Sequence, residues 1–285
     1  MEKGTRKWPF LLHEFTEETK DLLITGHDCE SRMFRVSTCP VAVPGLTLIS
    51  TASKNGAKES SGAVRALYKY NKHIGADIQF DSMSQISGNL TLNKQFLQSG
   101  IAQVTFRFPH YTSSKLNVVY LLRHAAFSMS TALHRFPKFG LSTSIGSSGI
   151  DFGMELGITK TSFFGVLNAG LQVTKPSYQA TILLTNKGDM LKASYFHNLS
   201  KAKNISAAIE MSRCLLTKEN TFLAGGSWGI DHLTVVKAKV DNHGKLNTLL
   251  QLGISKKVLL SISGGFDIKA MDRKPEIGFG ITLKL

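Results

Sequence analysis

Lys237 and Lys239 stand two residues apart, flanked by Val236, Ala238 and Val240. In an extended chain that spacing turns both ammonium groups to one side and the three aliphatic side chains to the other. The same alternation sets Ser261, Ser263, Gly265, Asp267 and Lys269 against Leu260, Ile262, Gly264, Phe266 and Ile268. Collected along the chain, the wet side holds Arg35, Arg65, Lys69, Arg107, Lys115, Arg123, Lys192, Lys237, Lys239, Lys257, Lys269 and Lys284. Asp77, Asp151, Glu155, Glu210, Asp267 and Glu276 fall on the same side. A wall of fixed cations does electrostatic rather than covalent work, raising the concentration of anions in the water beside it. The net charge of +14 points the same way.

Covalent chemistry has no comparable footing. The nine histidines are scattered, and there is no His-x-x-x-His, Cys-x-x-Cys, P-loop or nucleophile-elbow pattern. His124, His134 and His197 therefore read as wall or rim residues, and no catalytic residue, cofactor or metal is expected. Cys29, Cys39 and Cys214 are odd in number and lack metal spacing, which argues for a reducing or neutral compartment and against a disulfide framework. Nucleic acid is not expected as a partner, because only charge suggests it.

The elements that must position these cations are strands. Charged residues are 19% of the chain, below the roughly 25% of soluble domains, and no apolar run approaches the roughly 18 residues of a membrane helix. From Glu30 onward, alternating segments centre on Arg35, Leu48, Arg65, Ile78, Leu90, Val104, Val118, Met129, Leu141 and Met154. They continue at Leu167, Ile182, Ala193, Ala207, Phe222, Val236, Leu249, Ile262 and Phe279. Turn residues such as Asn186-Lys187-Gly188-Asp189 and Asp241-Asn242-His243-Gly244 separate them. A soluble sandwich also alternates, yet so many strands would normally form two linked domains. Segments near ten residues exceed the usual five or six and match the 9–11 that cross a bilayer on a tilt. A cation on a lipid face at mid-bilayer costs about 2–4 kcal/mol, so segregating charge to one face is what a membrane barrel demands. The expected architecture is all-β: a transmembrane antiparallel barrel of about nineteen strands over residues 28–285.

Residues 1–27 read differently. A short basic tail with Lys3, Arg6 and Lys7 leads to Pro9, suited to the first turn of a helix. Leu12, Phe15, Thr19, Leu22 and Leu23 share one helical face, opposite Glu14, Glu17, Glu18 and Asp21, and Gly26 ends the helix. About sixteen residues make a rod of about 24 Å, which would serve as a brace packed on the sheet or as a plug or gate inside the barrel. The first residues lack the apolar core of a secretory signal, and these carboxylates are unlike a mitochondrial presequence.

The residues also carry a resemblance. Leu184-Thr185-Asn186-Lys187-Gly188-Asp189-Met190-Leu191-Lys192-Ala193-Ser194-Tyr195-Phe196-His197 is similar to a segment of plant mitochondrial voltage-dependent anion channels, the eukaryotic porins. Val236-Lys237-Ala238-Lys239-Val240-Asp241-Asn242-His243-Gly244-Lys245 and Asp267-Ile268-Lys269-Ala270-Met271-Asp272 are similar too, and the likeness runs collinearly over 9–285. That family has nineteen strands, so the strand count agrees with the resemblance rather than standing independent of it. The resemblance implies a barrel in the mitochondrial outer membrane with the helix in the pore, in contact with the wall through Leu12, Phe15, Leu22, Leu23 and Gly26. It implies weakly anion-preferring passage of ATP, ADP, phosphate and organic anions, transported rather than tightly bound, with lower conductance under voltage. Membrane lipid is the implied surrounding partner, and the family leaves room for a homo-oligomer. A terminal sorting signal of polar-x-Gly-x-x-apolar-x-apolar type maps onto Glu276, Gly278, Ile281 and Leu283. The helix departs from the family in offering only Lys20 and His13 against four carboxylates. Where animal members point a glutamate at lipid, Ile78 is expected outward and Asp77 inward. Two other classes, a protein-conducting barrel and a soluble barrel that carries lipid, are the alternatives to a metabolite channel.

Overall fold

Each alternating segment forms a strand. The computed structural model describes residues 9–27, 31–38, 44–55, 60–71, 74–82, 84–93, 100–109, 114–133, 138–159, 162–200, 204–255, 257–269 and 275–284. The first strands are β1 (Ser31–Thr38), β2 (Leu46–Asn55), β3 (Ser60–Lys69), β4 (Ile74–Asp81), β5 (Ile86–Asn93) and β6 (Gly100–Phe108). Then come β7 (Lys115–Leu121), β8 (Ala125–Ala132), β9 (Phe139–Ser147), β10 (Ile150–Thr159), β11 (Ser162–Thr174) and β12 (Tyr178–Thr185). The last are β13 (Met190–Ser200), β14 (Ile205–Cys214), β15 (Asn220–Gly229), β16 (Thr234–Asp241), β17 (Lys245–Ser255), β18 (Val258–Asp267) and β19 (Glu276–Lys284). Every centre expected from the alternation lies inside one of them.

Each strand pairs antiparallel with the next, and β1 closes the ring by pairing with β19 in parallel, Phe34 opposite Ile281. The parallel seam follows from the odd strand number, since the first and last of an odd alternating series point the same way. Closure leaves no open sheet edge, the condition for strands to sit in hydrocarbon. Among the described residues no helix is long and apolar enough to cross a membrane.

The register carries each face around the ring. Lys237 lies opposite Leu249, Leu249 opposite Ser263, and Ser263 opposite Gly278. Val236, Leu250, Ile262 and Phe279 form the neighbouring row on the other face. That outer face exposes Val64, Ile78, Phe80, Phe106, Ile182 and Phe279. The inner face buries Ser144, Asp151, Gln172, Thr181, Ser194 and Ser263. A soluble protein hides its apolar side chains and shows its polar ones. This chain does the reverse, which is stable only where hydrocarbon surrounds the outside and water fills the inside.

The amino-terminal segment is shorter and more broken than its apolar spacing predicts. A single 3-10 turn spans Leu12–Glu14, and helix α1 spans Glu17–Leu23, seven residues rather than about sixteen. Pro9 lies outside both, buried. The break sits at Thr16, whose φ of −112° and ψ of 18° are not helical. Its cause is the wall: the Phe15 carbonyl accepts hydrogen bonds from Gln179 Nε2 at 3.0 Å and Thr181 Oγ1 at 3.1 Å. A carbonyl held by two strand side chains is diverted from the next helical turn. Glu14 Oε2 accepts from the Leu11 N–H at 3.0 Å, satisfying one orphan donor at the start. Gly26 takes φ of +84°, the left-handed value at which a chain leaves a helix.

Candidate functional site

The inner wall is cut to receive this segment. A Cβ added at inner-face Gly170 would lie 2.9 Å from Leu12 Cδ1, and one at Gly153 would lie 3.1 Å from both Leu12 Cδ1 and Phe15 Cζ. Phe15 is fully buried there, clustered with Leu12 and Leu183. Further along, Leu22 and Leu23 pack on Ala208, Phe196 and Leu223, with Leu23 Cδ2 2.7 Å from a Cβ at Gly225. Gly26 closes on Leu249, whose Cδ2 would stand 2.8 Å from an added Cβ. The expected wall contacts Leu12, Phe15, Leu22, Leu23 and Gly26 are thus all seated on the inner face. The receiving residues Gly153, Gly170, Gly225, Gln179 and Thr181 were not identified from sequence. Their signal was present as glycine and amide residues at inward positions of β10, β11, β12 and β15.

Polar contacts fix the same pose. Lys237 Nζ donates to the Asp21 carbonyl at 3.0 Å and stands 3.6 Å from Asp21 Oδ2, with its side chain 13% exposed. Lys237 is therefore tucked under the helix, whereas Lys20, Glu17 and Asp21 face the open interior. Removing both donors to the Phe15 carbonyl, as Gln179→Leu with Thr181→Val, is expected to weaken docking by about 1–3 kcal/mol. Faster tryptic cleavage after Lys20, with the barrel intact, measures that loss; unchanged cleavage would assign the break at Thr16 to another cause.

The basic side chains do not converge on one point. Arg65 Nε donates to Asp77 Oδ1 at 2.7 Å and Arg65 Nη2 to Asp77 Oδ2, so this pair is largely self-neutralised on the inner face. Lys192 Nζ lies 2.6 Å from Glu210 Oε1. Arg35 sits opposite Thr51 and Thr282, and Arg107 opposite Ser87. Lys69 and Lys115 are at strand ends, and Lys239 lies opposite Asn247. Arg123, Lys257 and Lys269 lie in turns at the two mouths, Lys269 Nζ donating to the Asn242 carbonyl at 3.2 Å. Between β5 and β9, apart from Arg107 and Lys115 near the strand ends, the described inner face is uncharged: Thr105 Oγ1 donates to Asn89 Oδ1 at 2.6 Å, and Ser128 Oγ to Asn117 Oδ1 at 2.9 Å.

On β19, Glu276 and Gly278 face inward while Ile281 and Leu283 join the outer row. His124 is in a turn, and His197 stands on the outer face opposite Tyr178. The basic tail, Cys29, Cys39 and His134 lie outside the described residues. Among the described residues no group of His, Cys, Asp and Glu could hold a metal ion.

Comparison with known proteins meets this geometry directly. The family model for eukaryotic porins matches residues 9–280. The chain is 38% identical over 279 residues to the mitochondrial outer membrane protein porin 2 of Arabidopsis thaliana, covering 98% of this chain and 99% of the relative. It is 36% identical to the mitochondrial outer membrane protein porin 5 of Oryza sativa subsp. japonica, with the same coverage. It is 32% identical over 280 residues to the outer plastidial membrane protein porin of Pisum sativum, covering 98% of this chain and 99% of the relative. A closed barrel with a greasy outside, a polar inside and a helix on its inner wall is matched along almost its whole length, and the chain belongs to the eukaryotic porin family.

Proposed function

We propose that this barrel is a voltage-dependent channel of the mitochondrial outer membrane, passing small hydrophilic metabolites and ions with a weak preference for anions. ATP, ADP, phosphate and organic anions are the solutes that fit. The observation that carries the reading is the inversion of burial, polar side chains inside a closed ring and apolar ones outside. Family membership and the names of the relatives support the membrane and the channel role, and they weigh against a protein-conducting barrel or a soluble lipid carrier. The anion preference rests on the excess of basic over acidic side chains along the inner face and mouths. It is weak because Arg65 and Lys192 are neutralised by Asp77 and Glu210 and because screening acts over about 8 Å. The gate is the helix, held by the Phe15 and Leu23 seats and hinged at Gly26. The last strand, with Glu276, Gly278, Ile281 and Leu283, acts as the sorting signal.

Planar-bilayer recording tests this. Stepwise conductance that falls at high voltage of either sign is the expected result, and an absence of steps would overturn it. Lys237→Glu with Lys239→Glu changes the wall by four charge units. One charge about 8 Å from an ion in water contributes about 0.5 kcal/mol, reduced to about 0.2 by screening. Four units make about 0.8 kcal/mol, roughly a fourfold fall in local anion concentration. The reversal potential in a salt gradient should move toward cations accordingly; no movement would remove both residues from selectivity.

A further inference from the structure

The outer face of β11 to β14 departs from an even greasy band. Ala180 and Ala193 floor a hollow of about 330 Å³, walled by Leu171, Ile182, Ile209 and Met211. These side chains face away from the pore, so the hollow opens on the lipid side of the wall. At one end of it the wall becomes polar. Tyr195 stacks on Tyr178 with ring centroids 6.1 Å apart and on His197 at 6.0 Å. The Tyr195 hydroxyl is hydrogen-bonded to His197 Nδ1 at 2.9 Å. His197 Nε2 has no protein partner among the described residues. Tyr178 is paired with His197 across the strands, and Lys175, exposed in the adjoining turn, donates its N–H to the Tyr178 carbonyl at 2.8 Å.

An imidazole on a lipid-facing strand is costly and calls for a partner. The end of the barrel on which it stands is suited to headgroups. Tyr68, Tyr120, Tyr178 and Trp228 stand near that end, while comparable outer positions at the other end hold Phe80, Phe106 and Phe266. Aromatic rings with a polar tip sit at the headgroup level. Among the described residues, Asp231 is the only carboxylate in the turns at this end, whereas Asp189 and Glu219 occupy turns at the opposite one. An apolar hollow leading to a cation, an imidazole and a phenol has the chemistry of a phospholipid site: tail below, phosphate above.

We propose that an anionic phospholipid occupies this place, its acyl chain lying in the hollow over Ala180 and Ala193 and its phosphate taken by Lys175, His197 and the Tyr178 hydroxyl. The inference rests on the membrane-channel reading and adds to it one bound lipid class at one position on the barrel.

The test uses the full chain in phosphatidylcholine vesicles carrying a trace of phosphatidylglycerol or phosphatidylcholine with a photoactivatable acyl chain. Labelled peptides are then located by mass spectrometry. Phosphatidylglycerol should label β12 to β14 about fivefold more than phosphatidylcholine does, the weight of one lysine near an anionic headgroup. Lys175→Gln with His197→Phe should bring that ratio to about one while phosphatidylcholine labelling persists, because the hollow is untouched. Ala180→Leu with Ala193→Leu fills the hollow and should abolish labelling there by both. Even labelling around the barrel, equal labelling by the two headgroups, or unchanged labelling in the filled variant would each overturn the site. So would a sterol probe that labels the hollow and is not competed by phosphatidylglycerol. Conductance is recorded on the same preparations: the variants face lipid and should conduct as the parent does. A parent that fails to conduct counts against the channel reading, not against the lipid site.

Discussion

Replacing Val236 and Ile262 by arginine leaves the chain unable to form a stable barrel in a bilayer. The two residues share one outer row across β16 to β18, through Leu250. Ile262 lies at mid-strand in β18, where a guanidinium meets hydrocarbon at its deepest, at a cost of about 2–4 kcal/mol. Val236 lies nearer one end, where the cost falls but does not vanish. The two sites sit two strands apart in one row, both against Leu250, so their effects need not add, yet either estimate is a large share of the 5–15 kcal/mol that holds a typical domain together. The measurement is the yield of heat-modifiable, protease-resistant barrel after refolding into lipid. Arginine at inner-row Ser261, one residue from Ile262 and only half-buried, is the control, since that side chain would reach water. Equal yields at positions 261 and 262 would remove the difference between the two faces of the wall, and with it the channel.

Phe15→Ala frees the amino-terminal segment from the wall without dismantling the barrel. Phe15 is fully buried between Leu12, Leu183 and the notch at Gly153 and Gly170. Truncating such a side chain costs about 3–5 kcal/mol. Seven helical residues have little stability of their own in water, so α1 depends on these seats. The strand pairing involves none of them. Tryptic cleavage after Lys20 should therefore accelerate strongly, by more than in the Gln179→Leu with Thr181→Val pair, while β-type circular dichroism stays unchanged. In bilayers the variant should lose its steady open level. Cleavage as slow as in the parent would show that Leu22, Leu23 and the Lys237 bond to Asp21 suffice to hold the segment.

These two results bear on different levels of the protein. Facing is a local property: a residue's side of the sheet follows from its parity along the strand. For that reason the alternation in Val236–Val240, or Ile277–Leu283, was enough to place each strand and sort its side chains. The face of His197 is set on the same ground, since it stands two residues beyond Tyr195 on one strand. The helix was half legible. Its apolar stripe named Leu12, Phe15, Leu22 and Leu23, because helical spacing is local too.

Its break at Thr16 was not, because the cause is a pair of side chains on β12, 164 and 166 residues away from the carbonyl they hold. Charge pairing is equally distant. Arg65 meets Asp77 only because β3 and β4 adopt one register, and Lys237 meets Asp21 across 216 residues. A list of cations on one face could not show which of them were already satisfied. The hollow over Ala180 and Ala193 likewise needs four strands in register before small residues become a space. What the sequence settled alone was period and parity, which depend on bond geometry within a strand. What the tertiary structure decided was which side chains meet, because that depends on register and closure, and neither exists until the ring is complete.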